Sequence, residues 1–196
     1  MSSVLIAATT CLMAADETPA AKAAPAAASA SAAAAPAESS SPPLVNVEED
    51  DSSIAKIDRA NFTLSYPSSW KEDVTAKDHD ANLNFTLVSP KNSYIQFTLL
   101  PKAEEPAKIV GDTIKKLDGP AITTLSKTKL EEWGNHKGQG YHLKGKIVGS
   151  FPGGVKIFVF SSQGYQVLII EEYFSDELRD IQHDLNYIRE NFVMKN

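Results

Sequence analysis

VKIFVF at residues 155–160, SSQG at 161–164 and YQVLIIEEYF at 165–174 follow one another without a break. The first and third segments read as almost wholly apolar, with Lys156 and Gln166 the main exceptions. A strand that is apolar at every position has no face to give to water, so both of its faces must be covered. Gly164 suits the tight turn of a hairpin. This hairpin is therefore expected at the centre of a sheet with helices on both sides. None of its residues implies a reaction.

The helical pattern after it supplies one cover. Leu178, Ile181, Leu185, Ile188 and Phe192 recur at steps of three and four, an amphipathic stripe. Ser175 is the expected N-cap, with Asp176 and Glu177 in the first turn. The helix is expected to lie across the hairpin.

Upstream, Phe62, Leu64 and Tyr66 alternate with polar residues, giving a half-buried strand over residues 61–66 that stops at Pro67-Ser68-Ser69. Leu83, Phe85 and Leu87, then Ile95, Phe97 and Leu99, alternate on either side of the turn Ser89-Pro90-Lys91-Asn92, a second hairpin. Pro106 opens a helix whose apolar face carries Ala107, Val110, Ile114 and Leu117, and Gly119-Pro120 ends it. A polar strand is expected over 122–130, a loop over 134–140, and a strand over 141–148. Hairpins join most neighbours, so the sheet is mainly antiparallel and the class is α+β.

Residues 62–70, Phe-Thr-Leu-Ser-Tyr-Pro-Ser-Ser-Trp, resemble the strand, Pro, small residue, Trp opening of the PsbP/Mog1-like superfamily. The later order of elements fits as well, and the resemblance covers roughly residues 54–194. It implies an α/β/α sandwich with a central, mainly antiparallel sheet flanked by helices. It also implies a binding or assembly-assisting protein rather than an enzyme, with no catalytic motif to transfer.

Charge is unevenly placed. Residues 1–52 hold seven acids and one base, whereas residues 53–196 hold 18 of each. A neutral domain lacks the basic footprint of a nucleic-acid binder. Its 144 residues suffice for a core without staples, since a domain near this size buries roughly 68–70% of its unfolded surface. The single cysteine, Cys11, lies outside it, so no disulfide or thiolate metal site belongs to the domain.

VLIAATTCLM at residues 4–13 has the length of a signal-peptide apolar core, and Ala14-Ala15 follow as small residues. Residues 1–15 are expected to act in export, although no Lys or Arg precedes the run and Met13 is large for its place. The missing basic residues fit either a truncated start or a weak lipoprotein signal. Cys11 offers a rival reading as a lipidated cysteine and membrane tether, with Thr10 a poor match before it. Residues 16–52, rich in Ala, Pro and Ser and ending in the acidic run 48–51, read as a linker. The location expected is secreted or periplasmic.

The chemistry-bearing residues are few. Asp78-His79-Asp80 could ligate a metal only with further ligands, and reads as a solvated loop. His136 and His142 bracket Gly138 and Gly140 without a dinucleotide fingerprint. His183 falls on the polar side of the final helix. No Gly-x-Ser-x-Gly elbow occurs, and no cofactor is expected. Lys127 with Lys129, and Lys144 with Lys146, each share one face of a strand. On neighbouring strands they would form a basic patch for an acidic partner or anionic lipid headgroups, or a lysine-guarded sheet edge. Trp70 is expected in the core, and Trp133, after Glu131-Glu132, exposed beside the lysines. The function expected is an exported non-catalytic module recognising a protein partner, with a small-ligand or metal-binding envelope protein as the alternative.

Overall fold

The computed structural model describes residues 53–102 and 104–195. The expected signal at 1–15, the linker at 16–52 and Cys11 lie outside them. In chain order the elements are β1 (Ile54–Asp58), β2 (Phe62–Pro67), β3 (Lys71–Glu72), β4 (Asn84–Val88), β5 (Tyr94–Pro101), α1 (Pro106–Leu117), β6 (Ile122–Trp133), β7 (His136–Ile147), β8 (Phe151–Ser162), β9 (Tyr165–Phe174), α2 (Leu178–Glu190) and β10 (Phe192–Met194).

The apolar hairpin is β8 and β9. Both residues of its turn have positive φ, Gln163 at 48° and Gly164 at 80°, which matches the twist of the flanking strands. The seven-stranded sheet runs β3-β4-β5-β9-β8-β7-β6, with every neighbouring pair antiparallel. β9 is therefore its middle strand. Side chains alternate between faces. Val155, Ile157 and Val159 join Leu143, Ile147 and Ile170 under Ile109, Val110 and Leu117 of α1. Phe158, Phe160, Val167 and Ile169 point the other way, to Ile181, Leu185 and Ile188 of α2. The expected α/β/α arrangement is present. A small antiparallel sheet, β1-β2-β10, shares the α2 layer and adds Phe62, Leu64 and Phe192 to it. Rings of Phe62, Phe85 and Phe97 stack in series at 4.9 and 4.8 Å, and Phe192 lies tilted against Phe97 at 4.9 Å.

Several expectations need correction. Residues 134–140 are not a loop. Gly134 and Asn135 alone make the turn, and β7 begins at His136. Gly138 and Gly140 serve close passage instead, because a Cβ on them would lie 2.3 and 2.1 Å from the Val159 and Ile157 carbonyl oxygens. Ser175 is not the N-cap of α2. Its amide donates to Pro152 O at 2.8 Å, and the helix starts three residues later behind Glu177. Phe192 is not helical but pairs with Leu64 in the small sheet. The buried stripe of α1 is rotated toward Ile109 and Thr113, leaving Ala107 exposed. Leu83 precedes β4 and is 39% exposed.

Candidate functional site: a buried charge cluster and its cleft

The alternation of β9 sends its two consecutive acids to opposite faces. Glu172 turns toward the α1 side, where its Oε2 accepts the Tyr94 hydroxyl at 3.0 Å. Glu171 turns toward α2, and its side chain is fully buried. An isolated carboxylate there would cost several kcal/mol, so it must be paired and hydrogen-bonded. Arg189 of α2 grips it with two bonds, Nε to Oε2 at 2.9 Å and Nη2 to Oε1 at 2.6 Å. Lys156, directly opposite on β8, donates to Oε1 at 2.8 Å. The Trp133 indole donates to Oε2 at 3.2 Å.

Burial pushes the Glu171 pKa up, but the Arg189 bonds and the Lys156 charge outweigh it and hold it at about 2. Lys156 is also lowered, because its own burial outweighs the attraction of Glu171, which it shares with Arg189. The geometry decides the ionic state: one carboxylate meets two cations, and the trio carries one net positive charge.

His142 stands beside this trio, sharing a 2.7 Å hydrogen bond between Nε2 and the Tyr173 hydroxyl. Burial, then the charges of Lys156 and Lys144, lower its pKa to about 4, so the ring is neutral at pH 7. Burial, and next the Glu171 charge, raise the Tyr173 pKa. The pair fits because position 154 is glycine: a Cβ there would lie 2.6 Å from the Tyr173 hydroxyl oxygen and 3.0 Å from His142 Nε2. Beyond Tyr173 the face opens into a cleft of about 370 Å³ whose walls include Leu125, Ser126, Lys144, Ser175 and Leu178.

Trp133 is 3% exposed, not a surface tryptophan. It ends β6 on the α2 side, against Phe97 and Phe192, with its indole N–H spent on Glu171. The four lysines form no single patch. Strands β6 and β7 are neighbours, but Lys127 and Lys129 pair with Leu143 and Tyr141 on the α1 side. Lys127 sits 3.9 Å over the Tyr141 ring, and Lys129 bonds Glu131 at 2.8 Å. Lys144 and Lys146, at even positions like His142, face the α2 side.

Trp70 is in the core, 1% exposed, donating to Asp184 at 2.9 Å. Asp80 spends Oδ1 on the Asn82 and Leu83 amides, at 2.8 and 3.1 Å, and His79 lies 3.7 Å from Glu72. Among the described residues no three such groups gather as metal ligands. His136 is stacked 4.1 Å from Phe160 and bonded to Phe192 O at 2.9 Å. His183 is exposed.

Glu171 escapes a reading of 165–174 as apolar. Counting outward from a two-residue turn at 163–164 would set it opposite Lys156, the signal that the lone lysine of one greasy strand and an acid of the next are a pair.

No family model matches the chain, and no curated protein matches it. Its structure is similar to that of cyanobacterial PsbP (CyanoP) from Synechocystis sp. PCC 6803, at 11% identity over 76% of this chain and 96% of that one, with a TM-score of 0.49. It is also similar to LpqN, involved in cell envelope biogenesis of Mycobacterium tuberculosis, at 15% identity over 73% of this chain and 91% of that one, with a TM-score of 0.45. At these identities the likeness concerns fold alone.

Proposed function

We propose that this protein is an exported, non-catalytic module that recognises a protein partner in the cell envelope. The observation that carries the reading is the state of Glu171. A carboxylate held by Arg189, Lys156 and Trp133 has no lone pair free to take a proton from a substrate, and it stays ionised. Its cations are likewise engaged, so the cluster acts as a brace fastening α2 to the middle of the sheet. What remains available is surface. The export half of the reading is supported by the apolar run at 4–13 and the Ala/Pro/Ser-rich segment before the domain.

Photo-crosslinking in cells, with a crosslinking residue replacing Leu125, tests it. A discrete adduct with an envelope protein is the expected result. Absence of any adduct from several surface positions, or a turnover activity abolished by Glu171→Gln, overturns it.

A further inference from the structure

We infer that the cleft beside Tyr173 takes a short acidic segment of a partner protein, with a carboxylate against Lys144 and an apolar neighbour against Leu125 and Leu178. The inference rests on the binding reading above and names the chemistry of its partner. Three independent features carry it.

First, the cationic charge at this place is unspent. Among the described residues Lys144 and Lys146 make no ion pair, whereas Lys129 is paired with Glu131 and Lys127 lies over a tyrosine ring. The buried trio beneath adds a further net positive charge, because Lys156 and Arg189 share one carboxylate. Acids near in sequence do not cancel it: Glu177 turns away to accept the Ser93 hydroxyl at 3.2 Å, and Asp176 is not part of the cleft wall. A cleft of one sign, set in low-dielectric walls, attracts the opposite sign.

Second, the wall supplies what an anionic group with an apolar neighbour requires. Ser126 and Ser175, two hydroxyl-bearing residues, line the same space as Lys144, with Tyr173 at its inner side. Leu125 stands at a bulge in β6, between the pairings of Thr124 and Ser126, and is 74% exposed. Bulges re-aim side chains, and this one turns an apolar residue toward the lysine. Leu178 faces it from the start of α2.

Third, the cleft is a furrow between a sheet edge and a helix end rather than an enclosed chamber. A small molecule bound with useful affinity is mostly engulfed. A furrow of about 370 Å³ open to one side accommodates two or three residues of a chain that continues past it.

Fluorescence anisotropy of the whole protein with a neutral-dye-labelled peptide of alternating Glu and Leu tests the idea, its Gln/Leu counterpart serving as comparison. The Glu peptide is expected to bind at least about tenfold more tightly than the Gln peptide, and to weaken as salt is raised. Lys144→Glu should lose about tenfold of that affinity, whereas Lys129→Glu, on the opposite face, should leave it unchanged. Leu125→Ser should weaken binding of both peptides. Equal affinity for the two peptides, no binding, or indifference to Lys144→Glu overturns the inference, as does Lys144-dependent binding to anionic phospholipid vesicles without binding to the peptide. A crosslinked envelope partner whose capture survives Lys144→Glu would overturn this inference and leave the binding reading standing.

Discussion

Arg189 on the second helix and Glu171 on the middle strand are joined by two hydrogen bonds at 2.9 and 2.6 Å, with the side chain of Glu171 wholly out of water. The pair ties the C-terminal part of α2 to the strand it crosses. Truncating one partner leaves the other charge buried and undercompensated. Arg189→Ala should destabilise the protein by about 3–5 kcal/mol in urea unfolding, and Arg189→Lys should recover only part, because a lysine cannot reproduce the planar fork. An Arg189→Ala protein as stable as the wild type would contradict the brace.

The same carboxylate sets a dependence on acid. Its folded pKa of about 2 lies below the ordinary 4.5. A depressed carboxylate contributes stability fully present above the unfolded value and lost as pH falls through the folded one. The brace should therefore weaken from about pH 4.5 toward pH 2. Glu171→Gln should flatten that part of the stability curve in thermal melts taken across it.

His142 should act higher on the scale. Its folded pKa, about 4, lies below its ordinary 6.5. Between those values the unfolded chain binds the proton more readily, so stability rises with pH across this window. NMR titration of the His142 ring should give a midpoint near 4. His142→Gln should reduce the slope between pH 4 and 6.5, leaving the part due to His136, whose pKa burial also lowers. A midpoint at the ordinary value would mean the ring is not walled in by Tyr173 and the cations.

Leu185, fully buried under α2, should cost about 2–5 kcal/mol when cut to alanine, by lost burial and the cavity left. Leu125→Ala, at an exposed position, should stay within about 0.5 kcal/mol in the same measurement.

Two glycine replacements should move stability in opposite directions. Gly154→Ala drives a methyl into the Tyr173 hydroxyl and the His142 ring, and overpacking of this kind costs about 1–3 kcal/mol. Gly111, inside α1, has open space where a methyl would go, with nothing within 4 Å, so Gly111→Ala should stabilise by roughly 0.5–1 kcal/mol. Thermal unfolding of the two variants side by side checks both.

Reading the sequence succeeds where one face of an element meets one environment. Residues 155–160 and 165–174 carry large apolar side chains on both faces, and only the interior of a covered sheet accommodates that, so the central hairpin is legible. The stripe Ile181, Leu185, Ile188 reveals the helix above it for the same reason. Failures cluster where tertiary partners decide. Trp133 follows two glutamates, which suggests a wet position, yet its indole is drawn inward by a carboxylate 38 residues away. Gly138 and Gly140 look like loop glycines until a neighbouring backbone is seen to press on them. The short pairings of β1 and β3 leave no period long enough to detect. Each pair of lysines does share one face of its own strand. What periodicity cannot supply is the phase between β6 and β7, which the bulges at 124–126 and 130–132 control.

That phase has a lasting consequence. Leu143 and Ile147 are interior at odd positions of β7, and Lys144 and Lys146 are held outward on the other side by the same pleat. Sliding the strand by one residue would bury the ammonium groups and expel the leucine and isoleucine. The electrostatic character of each side of this rim is thus inherited from the hydrophobic interior, and mutation can edit it only letter by letter.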